Sequence, residues 1–152
     1  MSEISSLQVT CVSMNSKDSF SENMDQALSS IQKSVETYKA SWVVLPEMFT
    51  YLGPRKGLLE FASTHHDKTI EIISKQASKY GITIFAGSIP EPCESSSLPP
   101  KVYNTCYVFG PSGNIIEKYR KIHLYQILDS NQSIKQTERD IYLSGEKTPN
   151  LS

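Results

Sequence analysis

One acidic residue directly follows an apolar run of the sequence, at a place where a carboxylate can do chemistry. Glu47 comes after Trp42-Val43-Val44-Leu45-Pro46, and such a run predicts a strand that is covered on both faces. Pro46 has no amide hydrogen, so strand pairing should end there. Open α/β sheets bind ligands at the carboxyl ends of their parallel strands. We therefore expect Glu47 to be a buried general base; a Glu that caps a loop or pairs with an arginine is the structural alternative.

A second candidate is the lysine that ends the basic stretch Lys118-Tyr119-Arg120-Lys121. Composition alone favours a solvated surface charge for Lys121, because lysines are rarely buried without a partner. Ile122 and Leu124 follow it, which indicates a partly buried segment. The residues by themselves leave both interpretations of Lys121 open.

Metal and thiol chemistry are not predicted from the histidines and cysteines. His65 and His66 are adjacent, so they cannot both face one site, and no Cys or Asp stands at ligand spacing. Cys11 and Cys106 lie within predicted apolar strands, where a cysteine behaves as a small buried hydrophobe. Cys93 lies in a predicted loop. We therefore expect no metal, no cofactor and no nucleophile among the three cysteines.

The composition and net charge of the chain indicate which kinds of molecule it is expected to bind. The chain has 152 residues, of which 38% are hydrophobic and 20% are charged, and its net charge is −1. These values are typical of one globular domain or a large part of one. They favour neither nucleic acid nor membrane as a partner, and no apolar run reaches the roughly 18 residues of a membrane span. The odd number of cysteines and the absence of an apolar leader predict a cytoplasmic protein.

The first half of the sequence has the order strand, helix, strand. Alternation over Leu7–Met14 predicts the first strand, and the apolar run Ala40–Leu45 predicts the second. Between them, Ser19-Phe20-Ser21-Glu22 matches a capping box at the start of a helix. The helix has apolar residues at helical spacing: Met24, Ala27, Leu28, Ile31, Val35 and Tyr38. A βαβ unit of this kind makes its two strands parallel.

The second half predicts one more helix and a hairpin. After a loop over Tyr51–Gly57, Asp67 is expected to cap a helix that ends at Gly81. Glu91–Pro100 is expected to be a surface loop. Three further strands are predicted, of which the last two form a hairpin: Ile82–Ala86, Tyr103–Phe109 and Ile115–Tyr119. The whole pattern predicts a single α/β domain with a mixed sheet.

Five segments of the sequence stand out together: Leu45-Pro46-Glu47-Met48-Phe49, Gly87-Ser88-Ile89-Pro90-Glu91, Tyr103-Asn104-Thr105-Cys106, Phe109-Gly110-Pro111-Ser112-Gly113 and Tyr119-Arg120-Lys121-Ile122-His123-Leu124. They resemble motifs of the carbon–nitrogen hydrolase (nitrilase) superfamily, and the match runs in the family's order between residues 7 and 145. Within the superfamily, these segments are most similar to the omega-amidase branch.

The resemblance implies a fold and a set of site residues. The family's fold is a four-layer α-β-β-α sandwich, of which residues 1–152 would be the N-terminal part, cut before the nucleophile strand. The family uses a Glu–Lys–Cys triad, which implies Glu47 as the general base and Lys121 as the group that stabilises the oxyanion. Glu138 matches the family's second acidic residue, and Tyr51 matches a position that lines the substrate pocket. The family's nucleophile lies in a Gly-x-x-x-Cys stretch, which the sequence does not reach before Ser152.

The implied activity is that of an amidase. The intact enzyme would hydrolyse the terminal amide of a small 2-oxo dicarboxylic acid monoamide, and this chain alone would be inactive. The family also implies a homo-oligomer or a full-length homologue as the protein partner. One alternative is a non-catalytic short form that binds or modulates a full-length homologue. Another is a fragment that does not fold stably.

Overall fold

A mixed sheet of six strands is the centre of the fold in the computed structural model, which describes residues 6–93 and 100–148. Its five main strands lie in chain order: β1 (Val9–Cys11), β2 (Trp42–Leu45), β3 (Thr83–Pro92), β4 (Val102–Phe109) and β5 (Ile115–Arg120). β1, β2 and β3 are parallel, whereas β4 and β5 run antiparallel to their neighbours. The predicted mixed sheet and parallel βαβ unit are confirmed.

A small hairpin and a short strand follow β5 and were not predicted. The hairpin pairs β6 (Gln126–Leu128) with β7 (Ile134–Thr137) as a separate sheet. A 3-10 turn over Glu138–Asp140 leads into β8 (Tyr142–Leu143), which pairs in parallel with the start of β4. Their exposed strands have too little apolar alternation to stand out in the sequence.

Two helices cover one face of the sheet. In α1 (Phe20–Glu36), the Ser19 side chain accepts a hydrogen bond from the Glu22 amide at 3.5 Å, as a residue that caps a helix should. α2 (Arg55–Tyr80) ends at Gly81, whose φ of 63° is the left-handed conformation that glycine tolerates best. The apolar face of each helix packs against β2, β3 and β4. Together these elements form one core, which includes Ala27, Ile31, Val43, Leu45, Ile73, Ile84 and Phe109.

The predicted start of α2 was wrong. The helix begins at Arg55, directly after Pro54, rather than at Asp67, which lies exposed in the middle of the helix. Pro54 makes no side-chain capping bond, so the start lacks the polar signal that marks most helices. Buried Leu58, Phe61 and Ala62 show why the helix extends so far, because they pack against Tyr51 in a second apolar cluster.

The ends of two strands also differ from the prediction. β1 covers only Val9–Cys11, and both Val9 and Cys11 are exposed, so Cys11 is not the buried hydrophobe that we expected. β3 continues to Pro92, so Glu91 lies in a strand and is buried rather than in a surface loop. Residues 94–99 of that predicted loop lie outside the described residues.

The sheet face opposite the helices is open, and we call it the open face. Val44, Phe85 and Val108 lie side by side there and stay partly exposed. Trp42, on the same face, is 38% exposed and packs on the Phe85 ring at a centroid distance of 5.3 Å. The described elements thus form one helix layer and one sheet layer. Within the described residues, no helix is long and apolar enough to cross a membrane.

Candidate active site

Of the three charged residues that the family resemblance implies, the two glutamates both contact the lysine. The Lys121 Nζ lies 3.1 Å from the Glu47 Oε1 and 3.1 Å from the Glu138 Oε1. Glu47 stands in the turn after β2, Lys121 directly follows β5, and Glu138 opens the 3-10 turn after β7. The fold therefore brings together three segments that are far apart in the chain.

Lys121 is fixed at both its backbone and its side chain. Its amide donates to the Asn104 carbonyl at 2.9 Å, and its carbonyl accepts from the Gly145 amide at 2.9 Å. Burial lowers the pKa of the ammonium, but hydrogen bonds to Glu47 and Glu138 outweigh this effect and raise the pKa above its ordinary value. The side chain is therefore an ammonium at neutral pH.

Glu47 is not buried, contrary to the prediction. Its side chain is 59% exposed, because the apolar run ends at Pro46 and the carboxylate projects from the following turn. The same Oε1 atom accepts hydrogen bonds from the Asn104 Nδ2 at 2.8 Å and from Lys121. The turn is held by the Met48 amide, which donates to the Ser88 Oγ at 3.1 Å. Glu47 is therefore a carboxylate that is accessible yet held in place.

Glu138 is the buried carboxylate of the group. Its side chain is only 8% exposed, and its Oε2 accepts from the Tyr125 amide at 3.0 Å. The Glu138 amide in turn donates to the Tyr125 carbonyl at 3.1 Å. A buried carboxylate is costly unless it is paired and hydrogen-bonded, and Lys121 and Tyr125 supply both kinds of partner.

A cleft of about 460 Å³ opens beside this group. It has charged side chains, aromatic rings and aliphatic groups in its wall: Glu47, Met48, Tyr51, Leu52, Gly53, Arg55, Leu58, Lys121, Tyr125, Gln136, Glu138, Ile141 and Tyr142. Burial, and then the negative charges of Glu138 and Glu47, raise the pKa of Tyr142, so its hydroxyl stays protonated. No sequence pattern indicated Arg55 or Tyr142, because both positions are set by tertiary contacts.

Tyr51 lines this cleft, as the family resemblance predicts, and both its hydroxyl and its ring have partners within the fold. The hydroxyl donates to the Pro54 carbonyl at 2.8 Å. The ring packs on Phe61 with a centroid distance of 4.5 Å and is almost completely buried. Tyr51 can therefore shape the cleft, and its contact with a substrate stays a prediction.

A smaller cleft of about 360 Å³ lies beside the same Glu47 and Lys121. It is also lined by Gly87, Ser88, Asn104, Cys106, Tyr119 and His123. Burial raises the pKa of the Cys106 thiol, which makes this cysteine a poor thiolate. Neither Cys11 nor Cys93 lines either cleft.

A second charged cluster lies on the other face of the same strands. Glu91 is almost completely buried and accepts hydrogen bonds from Thr105, Lys118 and Arg120 at 2.7 to 2.9 Å. Burial opposes ionisation, but these bonds dominate and hold the pKa of Glu91 at about 2. Because side chains alternate along a strand, Thr105 points away from Asn104 and this cluster is separate from the site around Lys121.

Comparison with known proteins identifies the family. The family model for carbon–nitrogen hydrolases matches residues 8–151. The chain is 40% identical to the omega-amidase NIT2 of Xenopus tropicalis over 107 residues, which cover 70% of this chain and 37% of that protein. It is 35% identical to the 2-oxoglutaramate amidase of Bacillus subtilis (strain 168) over 133 residues, or 86% of this chain and 49% of that protein.

A solved structure confirms the fold. The Caenorhabditis elegans NitFhit protein superimposes with a TM-score of 0.77 at 20% sequence identity, over 91% of this chain and 33% of that one. The matched region thus spans between a third and a half of the proteins it resembles. The chain belongs to the carbon–nitrogen hydrolase (nitrilase) superfamily, in its omega-amidase branch.

Proposed function

We propose that Glu47, Lys121 and Glu138 are the charged groups of an amidase centre. The observation that carries this proposal is the single ammonium of Lys121, which lies 3.1 Å from each of two carboxylates at the edge of a cleft. One of these carboxylates is accessible and the other is buried, so they are suited to different tasks. Glu47 can exchange a proton, whereas Glu138 can hold the lysine charged and in place.

The reaction follows from these positions together with a thiol. Glu47 takes the proton of the thiol while the sulfur attacks the amide carbon, and the carbonyl electrons move onto the oxygen. The Lys121 ammonium stabilises this oxyanion. Collapse of the intermediate breaks the carbon–nitrogen bond, and ammonia leaves with the proton returned by Glu47. Water, deprotonated by Glu47, then hydrolyses the thioester to the carboxylic acid and restores the thiol.

The nucleophilic thiol is proposed to come from polypeptide outside these 152 residues. Cys106 is the cysteine that lines a cleft beside Glu47, and burial raises its pKa. Cys11 lies exposed on β1, away from both clefts. Loss of a nucleophile costs several powers of ten in rate, so the chain alone should release no ammonia from an amide. Activity of the purified chain above that of a Glu47→Gln variant would contradict this.

The proposed substrate is a small 2-oxo dicarboxylic acid monoamide, the type of compound that the name of the Bacillus relative indicates. The cleft supports this class because it combines the Lys121 group with aliphatic walls and the cationic Arg55. Arg55 has one ionic contact among the described residues, at 3.4 Å to the Asp140 carboxylate, and the two side chains are 38% and 64% exposed. Such a pair is weak, which leaves the guanidinium available for a substrate carboxylate.

The proposal can be tested by combining the chain with the part of a relative that the chain does not match. The chain would be co-expressed with the segment of the Bacillus 2-oxoglutaramate amidase that lies beyond its match, and ammonia release from 2-oxoglutaramate would be measured. Glu47→Gln and Lys121→Met should each reduce the rate by about a hundredfold or more. Lys75→Met, which removes an exposed cation from α2, is the matched control. Equal loss in all three variants, or activity that survives Lys121→Met, would overturn the proposal.

A second candidate function is a non-catalytic short form that binds a full-length homologue. The open face favours it, because partly exposed apolar side chains such as Val44 and Phe85 lie side by side there, and contiguous exposed apolar surface marks interaction sites. Co-purification with a full-length omega-amidase would support this function. A stable monomer in the presence of that homologue would count against it.

A further inference from the structure

We propose that Asn104 is a positioning residue that holds the Glu47 carboxylate next to the Lys121 ammonium. Asn104 lies in β4, opposite Pro90 of β3, and is only 3% exposed. A buried side-chain amide must find hydrogen-bond partners, and the partner of this one is a carboxylate that is itself largely exposed. The inference rests on the proposed function in one respect, namely the role of Glu47 as the base.

One residue contacts both members of the pair. The Asn104 Nδ2 donates to the Glu47 Oε1 at 2.8 Å. The Asn104 carbonyl accepts from the Lys121 amide at 2.9 Å. Asn104 therefore connects the turn after β2 with the end of β5 through a single rigid strand residue. Without it, the Lys121 ammonium would be the one remaining hydrogen-bond donor to the Glu47 side chain among the described residues.

The contact also distinguishes the two oxygens of Glu47. Its Oε1 accepts from both Asn104 and Lys121. In the described part of the chain, its Oε2 accepts no hydrogen bond. A carboxylate oxygen that already accepts two hydrogen bonds is a poorer proton acceptor than a free one. Asn104 thus reserves Oε2 for the thiol proton and fixes the side from which the thiol must approach.

The residue type fits this task and few others do. Asparagine supplies an N–H donor on a short side chain, which costs little conformational entropy to fix in a strand. An aspartate there would repel Glu47, and a leucine would fill the space without donating. The backbone bond to Lys121 would survive either change, so the two contacts of Asn104 can be separated by mutation.

The experiment measures the titration of Lys121 in the chain itself, with lysines labelled at 13Cε and 15Nζ and the Lys121 resonance assigned with Lys121→Arg. Glu47 and Glu138 both raise the pKa of Lys121, so Glu47→Leu should move the titration midpoint to lower pH. Asn104→Leu should move it in the same direction, because the freed Glu47 side chain spends less time at the ammonium. The double variant should titrate like Glu47→Leu alone.

Glu138→Gln provides the matched control, because it removes the other carboxylate without touching Asn104. Its effect should add to that of Asn104→Leu, whereas the effects of Glu47→Leu and Asn104→Leu should not add. A wild-type midpoint in Asn104→Leu, or full additivity with Glu47→Leu, would overturn the proposal.

A second measurement avoids mutation of the strand. The Asn104 side-chain NH2 protons should exchange slowly with solvent in the wild-type chain and in Glu138→Gln, and quickly in Glu47→Leu. Equal exchange in all three would contradict the contact. Neither the Lys121 titration nor the Asn104 exchange depends on amide hydrolysis. A negative result in either measurement is therefore distinct from a failure of the reconstituted amidase. In a reconstituted amidase, Asn104→Leu should lower kcat and leave KM nearly unchanged.

Discussion

At the scale of single residues, Lys121 is the side chain on which the candidate site depends. It balances the buried Glu138 carboxylate and also contacts the exposed Glu47 carboxylate. Its removal should therefore affect folding as well as chemistry. A role in catalysis does not exclude a role in stability when one of the two partners is buried.

Lys121→Met should destabilise the fold by about 2 to 3 kcal/mol, because the change leaves Glu138 buried without a counter-charge. Urea unfolding at neutral pH measures this. Glu138→Gln in the Lys121→Met background should recover part of the loss, since it removes the unpaired charge. If Lys121→Met unfolds at the same urea concentration as the wild type, Glu138 is not the buried partner described above.

The low pKa of Glu91 predicts how the stability of the fold changes at acidic pH. Its pKa is about 2 in the fold and 4.5 without the fold's contacts, so its stabilising contribution is present above pH 4.5 and is lost as the pH falls towards 2. Wild-type stability should therefore decrease across this window more steeply than that of Glu91→Gln. Thermal melts at intervals between these pH values measure the two slopes. Parallel curves would show that the Lys118 and Arg120 contacts do not hold Glu91 ionised.

The residues of the site could be predicted only in part from the sequence. Glu47 stood out by position and by family motif, and Lys121 by family motif alone. The predicted burial of Glu47 was wrong, because the carboxylate projects from the turn that follows the buried strand. Asn104 lies in one of the family-like segments, but no role was predicted for it, and Arg55 carried no signal. An asparagine in a strand and an arginine at a helix start gain their roles from partners more than fifty residues away.

At the scale of elements, the order of strands and helices followed from periodicity, while several boundaries did not. The parallel βαβ unit has apolar strands and a capping box at the start of its helix, and the β4–β5 hairpin has clear turn residues between its strands. The start of α2 has neither a side-chain cap nor an acidic first turn. The β6–β7 hairpin is held by contacts of Glu138 with Tyr125, which no local pattern reveals.

The end of α2 provides a test at this scale. Gly81 has a φ of 63°, and a Cβ there would meet no atom within 4 Å. Gly81→Ala should therefore destabilise the chain by about 1 kcal/mol through backbone strain alone. Gly81→Asn should cost less, since asparagine tolerates the left-handed region better. Chemical denaturation of the three proteins provides the comparison, and an unchanged Gly81→Ala would contradict the observed conformation.

At the scale of the whole molecule, one layer of helices and one layer of strands are described, and the sheet has an open face. The order of elements in the sequence, a βαβ unit followed by a further helix and a hairpin, predicted the mixed sheet. Sequence patterns could not show what covers the second side of the sheet, since an apolar strand residue has the same pattern whether its neighbour belongs to the same chain or another. The full-length partner of the second candidate function would use this face, and so would the homo-oligomer that the family resemblance implies.

Trp42→Lys should reduce self-association of the chain, because it places a charge on the open face next to Phe85. Tyr38→Lys is the matched control, since Tyr38 is 50% exposed beyond the end of α1. Sedimentation velocity over a range of concentrations would measure the difference. Association that is equal in the two variants, or lost in both, would assign the contact to another surface.

In the hairpin of β4 and β5, neighbouring residues belong to two separate polar clusters on opposite faces of the sheet. Asn104 and Lys121 serve the candidate site, and their immediate neighbours Thr105 and Arg120 hold Glu91 on the opposite face. An in-frame insertion or deletion of one codon within either strand would turn residues of that strand to the opposite face and so remove contacts from both sets at once. In a library of single-codon changes, this hairpin should therefore accept many substitutions on its surface and almost no change in length.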